Sequence, residues 1–390
     1  MSLTNGPQAF PRSEYLRRVA AVKSEMARLN VEALFVNNPG NLTYLTGFLG
    51  RSSAPQCLVV SMQKEEPTFI VRPMDAAAAI YQSFLDRDSI VIYPENLVGN
   101  PDTDVYDAVI DFLHDAGLAK SGVGLEGYQL SARAAEKFMR RLPQARIVDV
   151  NRTVTWVRTV KSNLEIAVMK EVAAISDAAI MRAEEVIRPG VREPDVVAEL
   201  LTTLTRGFNG KAGTSLPHVF LNAGPRSATS HICWTEETIE HGTHVNLELS
   251  GFRYAYAAPL SRTFSIGVPS DHLRRAHEAQ LAGLEAALNA VRPGATCSDV
   301  AGAAYRAIEK RGFNKVSRCG YAVGIDWVEQ TASLNELDKT ELKPNMTFHL
   351  VLSNWMMREG DFGYVLSETI RVTESGVETL SAVPPKLFEI

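Results

Sequence analysis

Apolar residues recur at helical spacing through residues 13–30 (SEYLRRVAAVKSEMARLN), which predicts an amphipathic helix. The short run EALFVN (32–37) predicts a strand, and Pro39-Gly40 reads as a breaker. CLVVSM (57–62) and PTFIVRP (67–73) read as strands, DAAAAIYQSFL (75–85) as a helix and SIVIYP (89–94) as a strand. GVGLEG (122–127), SARAAEKFMRRL (131–142) and RIVDV (146–150) add a strand, a helix and a strand. This alternation predicts an α/β layer domain.

The pattern changes after RIVDV. Ser162 and Glu165 form an S-x-x-E capping box ahead of the long helical run LEIAVMKEVAAISDAAIMRAEEVI, so two domains are expected, 1–160 and 161–390. The second contains a repeat. Arg188-Pro189-Gly190 is followed by Asp195 and later by Arg206-Gly207-Phe208-Asn209, while Arg292-Pro293-Gly294 is followed by Asp299 and Arg311-Gly312-Phe313-Asn314. The two Arg-Pro-Gly turns lie 104 residues apart, too far for a solenoid period of ~20–50 residues. Two duplicated halves related by a pseudo-two-fold axis are expected instead.

Strands follow each half. HVNLELSG (244–251) alternates, with Val245, Leu247 and Leu249 on one face and His244, Asn246, Glu248 and Ser250 on the other. RYAYA and SRTFSIG read as its hairpin neighbours, and SRCGYAVGI, MTFHLVLSN and LSETIRVTE as strands of the second half. Helices covering one side of a curved sheet leave its polar side as a lined cavity, a place for chemistry.

The chain has 390 residues, 45% hydrophobic and 22% charged, with a formal charge of −5, which suits a folded domain pair and argues against nucleic acid or an anionic membrane as partner. No apolar stretch approaches the ~20 residues that span a bilayer, and residues 1–15 lack the pattern of a signal peptide, so a cytoplasmic location is expected. Cys57, Cys233, Cys297 and Cys319 form no C-x-x-C and are expected to be buried free thiols.

RTVKSNLEIAVMK, the Arg-Pro-Gly turns and NLELSGFRYAYAAPLSRTF resemble the creatinase/aminopeptidase family of the pita-bread fold. SRCGYAVGI, KPNMTFHL, AAPLSRTF and SETIRVTESGVETL are similar to its metal-free ectoine hydrolase branch. The resemblance implies a smaller creatinase-like N-terminal α/β domain, a C-terminal pita-bread domain and a homodimer. Peptidases of the family hold two metal ions with two Asp, one His and two Glu. Laid on this chain, those positions fall on Glu248, Pro259, Tyr321, Val351 and, at or one residue beside it, Glu368. Proline and valine carry no donor and a neutral tyrosine is a poor ligand, so neither a catalytic metal nor another cofactor is expected.

His231, Glu248 and Glu368 remain as the catalytic candidates that the resemblance implies. A protonated cyclic amidine, as in ectoine or 5-hydroxyectoine, has an electrophilic N–C–N carbon, carboxylates stabilise that cation, and one can attack the carbon or activate a water. His231 is suited to passing a proton to the departing nitrogen. Two other readings are open for Glu248 and Tyr321: Glu248 as a core ion-pair partner of Arg262, and Tyr321 as filler of the space a metal would take rather than a substrate ligand. Asp326, Trp327 and Glu329 match a substrate-reading motif of the branch, and Arg51 lies in a loop that reaches the neighbouring subunit's site in creatinase-like dimers. Arg318 and Arg262 are weaker candidates for holding a substrate carboxylate, and His241, His244 and His349 are expected at the surface or on a polar face. Three further readings compete: a creatinase-like amidinohydrolase acting on a guanidino acid, an Xaa-Pro peptidase, and a non-catalytic binding scaffold.

Overall fold

A computed structural model describes residues 3–52, 54–356 and 362–390. It divides into two compact units, Met1–Arg158 and Thr159–Ile390.

In the first unit α1 (Arg12–Arg28) leads to β1 (Ala33–Val36) and α2 (Pro39–Thr46). The Pro39-Gly40 pair, expected as a breaker, instead opens that helix. Asn38 caps it by accepting the Asn41 N–H, and proline suits the first turn, whose N–H groups have no helical partner. Next come β2 (Cys57–Ser61), β3 (Thr68–Val71), α3 (Pro73–Gln82), β4 (Ile90–Ile92), α4 (Val105–Asp115) and β5 (Gly122–Leu125). The unit closes with α5 (Ala132–Arg141), β6 (Arg146–Asp149) and α6 (Thr153–Val157). The strands form one sheet in the order β4-β3-β2-β1-β5-β6, mixed in direction. Phe35, Val59, Val109 and Phe138 are among the side chains that bury one face of it.

The second unit is built twice. α7 (Asn163–Val186) and α8 (Glu193–Arg206) precede β7 (His218–Ala223), β8 (His244–Ser250), the short β9 (Phe252–Arg253) and β10 (Tyr256–Ala257), and β11 (Leu260–Ser265). α9 (Asp271–Ala290) and α10 (Cys297–Glu309) precede β12 (Gly320–Gly324), β13 (Trp327–Leu334) and β14 (Thr347–Val351). Then follow β15 (Asn354–Met356), β16 (Phe362–Tyr364), β17 (Ser367–Val372), β18 (Val377–Thr379) and β19 (Phe388–Glu389). The two main sheets run β19-β11-β8-β7 and β13-β12-β14-β17-β18.

The sequence repeat has a structural meaning. Gly190 and Gly294 both take positive φ, +82° and +84°, where a side chain is strained. Each then donates its N–H to a distant carbonyl, of Ile239 and Leu342 respectively. Asp195 and Asp299 each stand at the third position of their helix, Asp195 paired with Arg192 and Asp299 closing a capping box with Thr296. The shared residues therefore mark the turn and start of the second helix in each half.

Each sheet buries one face under its helices. Val245, Leu247, Leu249, Leu260 and Phe264 pack under α7 and α8, and Ala322, Phe348, Leu350, Ile370 and Val372 under α9 and α10. The alternate residues, including Glu248, Ser261, Tyr321, His349 and Ser367, occupy the opposite face. Cys57, Cys297 and Cys319 are buried free thiols, whereas Cys233, expected to be buried, is exposed.

Candidate active site

Glu248 stands on β8 directly opposite Phe220 of β7 and Ser261 of β11. It borders a small pocket with Phe220, Asn222, Ser230, His231 and Asn246, open to solvent on the side of the exposed Ser230 and His231. Among the described residues no hydrogen bond reaches its carboxylate, and burial pushes its pKa up to about 7. Arg262, the alternative ion-pair partner, is not its neighbour. Arg262 lies on the helix-covered face of β11 with Leu260 and Phe264.

His231 lines the same cavity, its ring 5.6 Å from Phe220. Its φ of +59° is uncommon outside glycine, and its side chain is exposed. The structure thus brings Glu248 and His231 together.

Glu368 is a correction. It shares the face of β17 that carries Ile370 and Val372, and its carboxylate binds the buried Arg262 at 2.6 Å, so it belongs to the core rather than to the cavity. Ser367, one residue earlier, faces the other way and stands opposite Val351. Side-chain direction reverses with each residue of a strand, so a slip of one in matching positions exchanges the two.

A hydrogen-bonded chain runs across the cavity face. Trp327 Nε1 donates to the Tyr321 hydroxyl at 2.8 Å, and that oxygen lies 2.9 Å from His349 Nδ1. His349 Nε2 lies 2.7 Å from Ser367 Oγ, and Ser367 donates to Ser261 Oγ at 3.0 Å. Ser367 has one proton and gives it to Ser261, so His349 Nε2 must carry the proton in its own bond to Ser367. His349 Nδ1 is then the acceptor, and the Tyr321 hydroxyl donates to it. Burial keeps His349 neutral, lowering its pKa to about 3. His349 lies on the polar face of β14, one of the two places expected for it, and is fully buried there.

Trp327 also stacks near His218 and meets Phe220 and Phe252, forming an aromatic wall. The guanidinium of Arg318 lies 4.4 Å over the Tyr321 ring. Asp326 is exposed at the turn before β13, with a φ of +64°. Glu329, expected to read substrate, forms a buried ion pair with Lys161 at 2.6 Å instead. Arg51 is exposed in the irregular segment after α2 of the first unit.

These residues do not fit a pair of metal ions. Of the five matching positions Pro259 and Val351 offer no side-chain donor, and the Tyr321 and Ser367 hydroxyls are engaged with His349. Among the described residues that line the cavity, Glu248 alone carries a carboxylate. Among the described residues no cluster of three or more His, Cys, Asp or Glu side chains is arranged to hold a metal.

Residues 167–374 match metallopeptidase family M24, and residues 18–160 match the creatinase/prolidase N-terminal domain. An uncharacterized hydrolase/peptidase of Sinorhizobium fredii is 57% identical over 392 residues, all of this chain and all of that one. The ectoine hydrolase of Halomonas elongata is 36% identical over 394 residues, spanning 97% of this chain and 98% of its own. An Xaa-Pro dipeptidase from Bacillus anthracis superposes with a TM-score of 0.81 at 22% identity, over 96% of this chain and 100% of its own, and so shares the fold.

Proposed function

The chain belongs to metallopeptidase family M24, with a creatinase/prolidase N-terminal domain, and on that premise we propose that it is a metal-independent hydrolase opening a cyclic amidine, with ectoine or 5-hydroxyectoine as substrate. The observation that carries this reading is Glu248, a carboxylate at the cavity without a cationic partner or a hydrogen bond among the described residues. A carboxylate left so is poised for a cation. An amidinium supplies one, together with an electrophilic carbon that needs no metal to polarise it. The similarity to ectoine hydrolase points the same way.

In the proposed reaction the electron pair comes from Glu248, acting on the N–C–N carbon directly or through a water it deprotonates. His231 delivers a proton to the departing nitrogen and one ring C–N bond breaks. The net change is addition of one water, leaving an amide and an amine on the opened chain. Tyr321 and Trp327 form the aromatic wall, Arg318 offers the nearby cation for a substrate carboxylate, and Arg51 completes the site of a second subunit in a homodimer. Glu368, Glu329 and Asp326 are left out of the chemistry.

The test is incubation of the chelator-stripped protein with ectoine, 5-hydroxyectoine, creatine and an Xaa-Pro dipeptide, with mass detection and elemental analysis. Ectoine gaining one water without bound metal is expected. Turnover of creatine alone would assign the site to an open guanidino acid. Activity confined to the dipeptide and lost with two stoichiometric metal ions would overturn the proposal.

A further inference from the structure

Asn222 lies on β7 opposite Asn246, one step diagonally from Glu248, and all three side chains share the cavity face. The two asparagines differ in what they have left to give. Asn246 is fully used: its Nδ2 donates to the carbonyls of Ser227 and Gly363, and its Oδ1 accepts from Thr263. Asn222 Nδ2 donates to the Thr229 carbonyl at 3.2 Å. A carbonyl can only accept, so this bond fixes the orientation of the amide and turns Oδ1 the other way. That oxygen is buried without a partner among the described residues, on a residue only 4% exposed. An orphaned buried acceptor is destabilising, and native structures carry few of them without a reason.

We infer that Asn222 Oδ1 is a binding residue that accepts one N–H of an amidinium ligand while Glu248 accepts the other. Diagonal neighbours on one face of paired strands are close enough for their side chains to meet one small ligand between them. Two acceptors so placed select a planar cation with N–H groups on both sides. They discriminate against an amide, which carries a single nitrogen and turns its oxygen toward one of the two acceptors. The class of ligand is therefore an amidinium or guanidinium, and the choice of ectoine within it rests on the function proposed above. Asn222 earns this role from its unpaired oxygen, a property invisible in the string FLNAG.

The experiment uses the full chain at pH 8 and reads binding, not turnover. Acetamidinium, acetamide and ectoine are titrated into wild type, Asn222→Ala and Asn222→Asp, with circular dichroism as the check on folding. Asn222→Ala loses the oxygen and the Thr229 tether, whereas Asn222→Asp keeps an acceptor toward the cavity and loses only the tether. Wild type is expected to prefer acetamidinium to acetamide, Asn222→Ala to weaken acetamidinium by about 10- to 100-fold, and Asn222→Asp to restore it. Equal binding of acetamidinium and acetamide by wild type, or wild-type binding by Asn222→Ala, overturns the assignment. Asn222→Asp as weak as Asn222→Ala makes the residue a loop tether and overturns it too. Should Asn222→Ala fail to fold, Asn222→Asp against wild type decides alone. If acetamidinium behaves as expected while ectoine does not bind, the substrate reading fails and Asn222 keeps its role.

Discussion

Trp327 donates its indole N–H to Tyr321 across 2.8 Å while its own backbone holds a φ of +65°. A large side chain in the left-handed region is strained by roughly 1–3 kcal/mol and persists only where its surroundings dictate it. The bond to Tyr321, and through it to His349, is one such restraint. Tyr321→Phe should leave both Trp327 Nε1 and His349 Nδ1 without their partner. A loss of about 1–3 kcal/mol in urea unfolding is expected.

The same chain makes a prediction for His349. Neutral, with the proton on Nε2, it should show no titration between pH 5 and 8, since its pKa is lowered to about 3. Nitrogen-15 NMR of the ring checks both the tautomer and the flat pH response. A midpoint in that range would mean that the buried relay is opened to water.

Glu248→Gln should reduce kcat for the amidine by about 100- to 1,000-fold, the usual effect of removing one electrostatic stabiliser. His231→Ala should lose about 100-fold or more through proton transfer. The double variant should fall short of the product of the two, since both serve one proton path. Near-normal turnover by Glu248→Gln would end the mechanistic reading.

The pH profile follows from the burial of Glu248. Its pKa is raised to about 7, and the reaction needs the carboxylate, so the acid limb of kcat/KM should rise with pH through a midpoint near 7. A bound cation favours the carboxylate, so the corresponding limb of kcat should lie at lower pH.

Stability should move in the opposite sense. A carboxyl whose folded pKa exceeds its unfolded value binds more protons when folded, so stability falls as pH rises from about 4.5 to about 7. Glu248→Gln removes that loss. Its gain over wild type should be absent near pH 4 and reach at most about 3 kcal/mol at pH 8, by thermal or urea unfolding at both values.

Glu329 and Glu368 call for a different outcome. Each is one half of a buried ion pair, with Lys161 and Arg262 respectively. Glu329→Ala should cost about 3–5 kcal/mol of stability by leaving a buried charge unpaired. The folded fraction should keep its KM, whereas a substrate-reading residue would raise it.

Period and punctuation alone located much of this protein. The alternation in HVNLELSG put Glu248 on the polar face of its strand, the Ser162–Glu165 box marked where α7 begins, and the Arg-Pro-Gly repeat exposed the duplicated halves. These are local signals, carried by neighbours within a few residues. Pro39-Gly40 was local as well, but ambiguous, because a proline that ends one helix also suits the first turn of another.

Tertiary structure decided what depends on pairing. Whether Glu368 or Ser367 meets the cavity turns on strand register, where one residue reverses the face. The Trp327–Tyr321–His349–Ser367–Ser261 chain joins five strands, and no single segment shows it. The unpaired oxygen of Asn222 is likewise defined by the partner it lacks. Side-chain period is written along the chain, whereas hydrogen-bond satisfaction exists only between segments that folding brings together.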